Sequence, residues 1–142
     1  MLGLSLTKTR ISLISIAVLL FLVACEGGEK YPIVPNDDLV ATGNAIYQQN
    51  CASCHGDQST PPPLPNAPRH TADGHTWHHQ DRLLVEWILY GIPNGGTMPG
   101  FAGTLSEDDA RAAIAYIKTF WPDEIIDRQI QGSADYEKQI GR

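Results

Sequence analysis

Two cysteines and a histidine form the group of side chains with the clearest chemistry in this sequence. Cys51 and Cys54 are three residues apart, and His55 follows directly. On a helical turn, residues i and i+3 present their sulfurs on one side, where both can form thioethers with the vinyl groups of a haem while the imidazole ligates the iron. The Cys-x-x-Cys-His spacing is typical of covalent haem attachment. It predicts one haem c held by these three residues.

A Cys-x-x-Cys pair has two other common uses, a redox dithiol and half of a zinc site. A thioredoxin-like dithiol is expected at the start of a helix that follows a strand, and a tetrahedral zinc site needs two more Cys or His ligands. The sequence around residues 51–55 shows neither context. The pattern therefore favours haem attachment.

A methionine in a later loop is the candidate for the second axial ligand. Met98 lies in a segment rich in Gly and Pro, residues 94–101, where no apolar helical stripe explains it as core filler. A thioether is a suitable sixth ligand for haem iron. We therefore expect Met98 and His55 to ligate the iron from opposite sides.

Four of the five histidines lie between the two candidate ligands, in residues 70–79. One of them could be a second axial ligand or part of a metal site. The simpler interpretation places them as polar residues at the surface or at the haem edge, in a loop before a helix. The sequence leaves the roles of His70, His75, His78 and His79 open.

Three helical patterns are expected to position these residues. Each has capping or terminating residues that set its bounds. They are a helix capped by Asp37 or Asp38 that leads into Cys51, a helix over residues 81–90 ended by Gly91, and a helix capped by Ser106 that reaches Trp121 before Pro122.

With these helices, the haem motif and the methionine loop, residues 38–121 resemble class I cytochromes c. The family packs a small residue and an aromatic of its N-terminal helix against its C-terminal helix, and Gly43 and Tyr47 match these positions. The resemblance implies an all-α, cytochrome c-like small helical domain wrapped around one covalently attached haem. It also implies that a proline carbonyl, from Pro63 or Pro65, accepts a hydrogen bond from His55.

The N-terminal segment has the pattern of a targeting signal. Lys8 and Arg10 precede an apolar run, residues 11–24, that is better sized for a signal peptide than for a membrane span. Its end, Leu22-Val23-Ala24-Cys25, resembles the bacterial lipobox, which implies cleavage and acylation of Cys25. A short anchor that is never cleaved is the alternative. Three cysteines in total leave two for haem and one for lipid.

These patterns divide the chain into four parts. We expect a lipoprotein signal peptide at 1–24, a flexible tether at 25–36, a cytochrome c domain at 37–121 and an extension at 122–142. Ile125, Ile126, Gln129 and Ile130 predict a short helix in that extension, ending before Gly132 and Ser133. The net charge of −6 and the pI near 5.2 argue against a nucleic-acid partner.

Two axial ligands leave no open position on the iron, so the predicted role is electron transfer rather than enzymatic catalysis. We expect a membrane-tethered carrier that exchanges single electrons with redox proteins, in the periplasm or on the outer face of the cell membrane. One alternative is a haem protein whose labile Met98 admits a gas or peroxide. The other is a copper-handling module.

Overall fold

The computed structural model describes residues 29–142, so the predicted signal peptide and Cys25 lie outside the described residues. Within 29–142 all regular secondary structure is helical. The expectation of an all-α fold is confirmed. The elements are α1 (Asp37–Asn50), α2 (Ala52–His55), a 3₁₀ turn (Thr76–His78), α3 (Asp81–Tyr90), α4 (Glu107–Lys118) and α5 (Asp123–Gln139).

The centre of the fold is the crossing of α1 and α4. A Cβ atom added at Gly43 would lie 1.9 Å from the carbonyl oxygen of Ala112, so only glycine permits this approach. Tyr47, fully buried one turn later, packs against Tyr116 and Phe120 with ring centroids 5.4 and 5.6 Å away. The predicted contact of Gly43 and Tyr47 with the last helix of the domain is confirmed.

The N-terminus of α1 differs from the sequence-based expectation. Asn36 is the N-cap, and its side chain accepts a hydrogen bond of 3.0 Å from the backbone N–H of Leu39. Asp37 and Asp38 occupy the first turn instead, where their charges complement the helix dipole. Asn and Asp are almost equally good caps, so the sequence alone does not choose between adjacent candidates.

Helix α4 begins as predicted and ends earlier than predicted. Ser106 and Asp109 form a reciprocal capping box at its start. The helix stops at Lys118, and the hydroxyl of Thr119 donates to the carbonyl of Tyr116 at 2.7 Å. Trp121 lies in the following turn, because the residue before a proline is disfavoured in the helical region.

Part of the predicted tether belongs to the folded domain. Tyr31 and Ile33 are buried, with 6% and 1% of their surface exposed. The Tyr31 hydroxyl donates to Glu107 at 3.1 Å, and the backbone N–H of Ile33 donates to Asp81 at 2.7 Å. The prediction of a flexible tether through residue 36 is therefore wrong for this stretch.

The C-terminal extension forms a helix longer than the sequence pattern predicted. Helix α5 continues through Gly132 and Ser133 to Gln139. Ser133 is almost fully buried, and its hydroxyl accepts a hydrogen bond of 3.0 Å from the backbone N–H of Asp81. This bond satisfies a free donor at the start of α3 and offsets the helix-breaking tendency of Gly132.

Across residues 29–142, no helix has both the length and the apolar character needed to cross a membrane.

Candidate haem-binding site

The Cys-x-x-Cys-His motif lies where α1 turns into α2. Cys51 is the C-cap of α1, and its carbonyl accepts backbone hydrogen bonds from Cys54 at 3.0 Å and from His55 at 2.9 Å. These two bonds close a tight turn over the motif. Burial, followed by the charge of Cys54, raises the pKa of the Cys51 thiol to about 11.

The imidazole of His55 is buried and oriented by a proline carbonyl. Its Nδ1 atom lies 2.9 Å from the carbonyl oxygen of Pro68. A carbonyl can only accept, so Nδ1 carries the hydrogen and the lone pair of Nε2 is available to a metal. The expectation that Pro63 or Pro65 supplies this carbonyl is wrong, because the loop after the motif brings Pro68 to the ring instead.

A second imidazole, that of His70, stacks on His55. The ring centroids are 4.3 Å apart at an interplanar angle of 27°. His70 is held by Thr76, whose hydroxyl lies 2.7 Å from its Nδ1, and by Trp121, whose indole N–H donates to its carbonyl at 2.6 Å. Burial, followed by the charge of His55, lowers the pKa of His70. A neutral ring therefore supports the orientation of the candidate ligand.

Sequence analysis did not separate His70 from the other loop histidines. The signal that could have done so is its position two residues after Pro68. The Pro68 carbonyl orients the His55 imidazole, so a residue two positions further along the chain is constrained to lie beside that imidazole.

Three of the four predicted haem-binding residues meet at one cavity. Cys51, His55 and Met98 line it together. Cys54 is one helical turn from Cys51 on the same short motif and is partly buried. The rest of the wall is mainly apolar and comes from α3, α4 and the turn after α3: Leu84, Trp87, Ile88, Ile92, Ile114 and Ile117. Thioether, imidazole and thiol groups around an apolar wall are a donor set that fits a haem.

The loop that carries Met98 is docked on the C-terminal end of α3. Backbone N–H groups of Phe101 and Ala102 donate to the carbonyls of Ile88 and Leu89, both at 2.9 Å. A Cβ atom added at Gly100 would lie 2.6 Å from the Leu89 carbonyl oxygen, so this close approach requires glycine. These contacts hold Met98 against the cavity.

The remaining histidines form a cluster beside the cavity. The ring of His75 lies 4.5 Å from that of His78 and 5.0 Å from that of His79. His75 and His79 line the cavity, whereas His78 stacks on Trp77. Within 29–142, no group of three or more His, Cys, Asp or Glu side chains has an arrangement suited to a metal ion. The cluster gives no support to the copper-handling alternative.

The crossing of α1 and α4, with a cavity beside the Cys-x-x-Cys-His turn, places this molecule among class I c-type cytochromes. Residues 38–117 match the family described as cytochrome c oxidase, cbb3-type, subunit III, and the chain belongs to that family. It is a monohaem cytochrome with a covalently bound haem c, and its role lies in electron transfer. The prediction of one haem c is confirmed.

Several curated proteins are similar to this chain. Cytochrome c6 of Tetradesmus obliquus is 34% identical over 83 residues, which cover 55% of this chain and 86% of that protein. Cytochrome c6 of Leptolyngbya boryana is 32% identical over 81 residues, or 54% of this chain and 87% of that protein. The cbb3-type cytochrome c oxidase subunit FixP of Bradyrhizobium sp. (strain ORS 278) is 31% identical over 77 residues, 54% of this chain but 26% of that subunit. No solved structure shows a significant match.

Proposed function

We propose that the chain is a single-electron carrier whose haem is attached through Cys51 and Cys54 and ligated by His55 and Met98. The observation that carries this proposal is the single apolar cavity that Cys51, His55 and Met98 line together. A haem with two protein ligands supplies one-electron exchange between iron(II) and iron(III) and leaves no coordination position for a substrate.

On balance, the residues around the cavity would raise the reduction potential. The Met98 thioether is a soft donor, which favours iron(II) over iron(III) relative to a second imidazole. The apolar wall disfavours the extra positive charge of iron(III) and acts in the same sense. The hydrogen bond from His55 to Pro68, 2.9 Å long, makes the imidazole a stronger donor and partly opposes this shift.

We further propose that the domain works outside the cytoplasm while tethered to a membrane. Support comes from the charged and apolar pattern of residues 1–24 and from the lipobox-like end at Cys25. Because the Lys30 carbonyl accepts a hydrogen bond from Arg111, and Tyr31 and Ile33 are buried, the tether would be no longer than residues 25–29. A short tether would hold the haem close to membrane-bound redox partners.

A direct test is the spectrum of the protein expressed with its N-terminal segment in a bacterium that matures c-type haem. We expect absorption of covalent haem and the weak near-infrared band of methionine bound to iron(III). Met98→Ala should abolish this band and lower the potential, while Thr97→Ala, a neighbour that does not line the cavity, should change neither. A wild-type spectrum that lacks this band and is unaltered in Met98→Ala would refute the ligand assignment and direct attention to His75, His78 and His79.

The lipid anchor is tested separately. Wild-type protein from cells grown with a labelled fatty acid should carry the label, and Cys25→Ser should lose the label with its haem spectrum unchanged. If the wild type carries no label and still remains in the membrane fraction, the alternative of an uncleaved N-terminal anchor replaces the lipoprotein assignment.

A subunit of an oxidase complex is the second candidate role, and the family match over residues 38–117 favours it. The chemistry at the haem would be the same, but the electron acceptor would be a permanent partner. Gentle detergent extraction followed by native electrophoresis distinguishes the two roles. A free carrier migrates as a small haem protein, and a subunit migrates together with oxidase activity.

A further inference from the structure

The histidine cluster, His75, His78 and His79, lies beside the candidate haem cavity, which His75 and His79 line. His75 and His78 are exposed and His79 is partly buried. Burial, and then the charges of His75 and His78, lower the pKa of His79. The ring of His75 lies 4.5 Å from that of His78 and 5.0 Å from that of His79. Positive charges on neighbouring rings repel each other, and an anion beside them would offset this repulsion.

The cavity has few polar groups that could meet such an anion. Neither lysine nor arginine is among the described residues that line it. The ring nitrogens of His75, His79 and Trp87 take part in no hydrogen bond within residues 29–142, whereas His70 and Thr76 bond to each other. The hydrogen-bonding groups of the cavity wall that have no partner are therefore the rings of His75, His79 and the adjacent Trp87.

The haem itself brings the anions. It carries two carboxylates on the edge remote from the vinyl groups, and these vinyl groups are the ones that Cys51 and Cys54 would bind. Carboxylates at the edge of an apolar cavity need hydrogen-bond donors or positive charge. An imidazolium supplies both, and such charge-assisted hydrogen bonds are stronger than neutral ones.

We propose that His75 and His79 bind the haem carboxylates, and that protonation of these two histidines makes the reduction potential depend on pH. The inference rests on the proposed function, because it requires the haem to occupy this cavity. His78, which does not line the cavity, is a neighbour of the site and has no direct role.

Other charged groups near the cluster do not replace the histidines. Arg128 of α5 lies over the ring of Trp77, 5.7 Å from its centroid, and lines a different pocket together with His78 and His79. Asp81 of α3 is already paired with Lys118. In the loop, the Asp73 carboxylate accepts from Thr71 and lies 3.9 Å from Arg69. None of these five charged residues lines the cavity.

The sign of the pH dependence follows from the charges. A protonated histidine neutralises a haem carboxylate, so the extra positive charge of iron(III) is less stabilised and the potential is high at low pH. Deprotonation exposes the carboxylate charge to the iron and lowers the potential. By linkage, the proton must be bound more tightly in the reduced protein than in the oxidised protein.

The test is a redox titration of the holoprotein between about pH 5 and 8, the range in which histidine titrates. The wild type should lose potential as the pH rises, the double variant His75→Asn/His79→Asn should be nearly independent of pH, and His78→Asn should retain the dependence. Proton NMR of the unmutated protein gives a second measurement, in which the pKa of His79 should fall on oxidation.

The results separate this inference from the proposed function. The carboxylate assignment is overturned if the reduction potential of the wild type does not depend on pH. It is also overturned if the potential of the double variant still falls as the pH rises. If covalent haem and the methionine band are intact in that experiment, the electron-carrier proposal stands. A protein without covalent haem overturns both.

Discussion

The ammonium group of Lys118 lies 3.0 Å from the carboxylate of Asp81, and both side chains are completely buried. Lys118 also donates to the carbonyl of Ile33 at 2.6 Å, and Gln129 donates to Asp81 at 2.8 Å. The pair thus joins the N-terminal segment, α3, α4 and α5 at one point. Burial lowers the pKa of Lys118, and the charge of Asp81 opposes this shift.

Replacing Lys118 by methionine should destabilise the protein strongly. Asp81 would be left in the core without its partner, and breaking a buried ion pair in this way costs about 3–5 kcal/mol. Urea unfolding of the holoprotein measures this loss. The double variant Asp81→Asn/Lys118→Met should recover much of the stability, because no uncompensated charge remains. Equal stability of the single and double variants would contradict this account.

The helix crossing gives a prediction with an internal control. Gly43→Ala places a methyl group 1.9 Å from the backbone oxygen of Ala112, so α1 and α4 must separate. Overpacking of this kind costs about 1–3 kcal/mol, or more where backbone atoms clash. Gly132→Ala, on α5 with nothing within 4 Å of the new methyl group, should instead stabilise by about 0.5–1 kcal/mol. Thermal unfolding of both variants measures this difference. If the midpoint temperatures of both variants shift in the same direction, the account is refuted.

Several features of the site follow from short-range rules and were predictable. The Cys-x-x-Cys-His spacing predicts a tight turn, and the backbone hydrogen bonds from Cys54 and His55 to the Cys51 carbonyl form it. Ser106 and Asp109 predict the start of α4 because a capping box is complete within four residues. Gly91, with φ at +80°, ends α3 where the sequence indicates, since glycine tolerates this conformation.

Other features depend on contacts between distant parts of the chain and could not be predicted. The prolines that follow the haem motif are equivalent locally, and only the folded path of the loop selects Pro68 as the partner of His55. Ile33 is buried because its backbone N–H meets Asp81, 48 residues further on. A segment with two glycines and two prolines has no periodicity that reveals such a docking site.

The hydrogen bond between α5 and the start of α3 should contribute measurably to stability. Ser133→Ala removes the acceptor of the buried Asp81 N–H, and an unsatisfied buried donor costs about 1–3 kcal/mol. Gln131→Ala changes an exposed residue of the same helix, whose side chain bonds only to exposed Asp135, and should stay within about 0.5 kcal/mol of the wild type. Urea unfolding compares the two variants. A Ser133→Ala protein as stable as Gln131→Ala would show that water replaces the hydroxyl.

The capping box of α4 predicts how the domain responds to acid. The side chain of Ser106, and then its backbone N–H, donate to Asp109 and lower the pKa of that carboxyl. Because the folded pKa lies below the unfolded value of about 3.9, the stabilisation is present above that value and is lost as the pH falls through the folded pKa. Ser106→Ala should lower the free energy of unfolding by about 1 kcal/mol at neutral pH. It should also make the free energy of unfolding less dependent on pH in acid.

The control for this prediction is Gly132→Ala, which changes stability without removing a carboxylate. Free energies of unfolding at several values between about pH 2 and 6 compare the three proteins across the range in which an aspartate titrates. Wild type and Gly132→Ala should lose stability in parallel as acid is added. The difference between the wild type and Ser106→Ala should narrow toward the lowest pH, because protonated Asp109 no longer accepts strongly from Ser106. A difference that stays constant with pH would show that the cap works without the charge of Asp109.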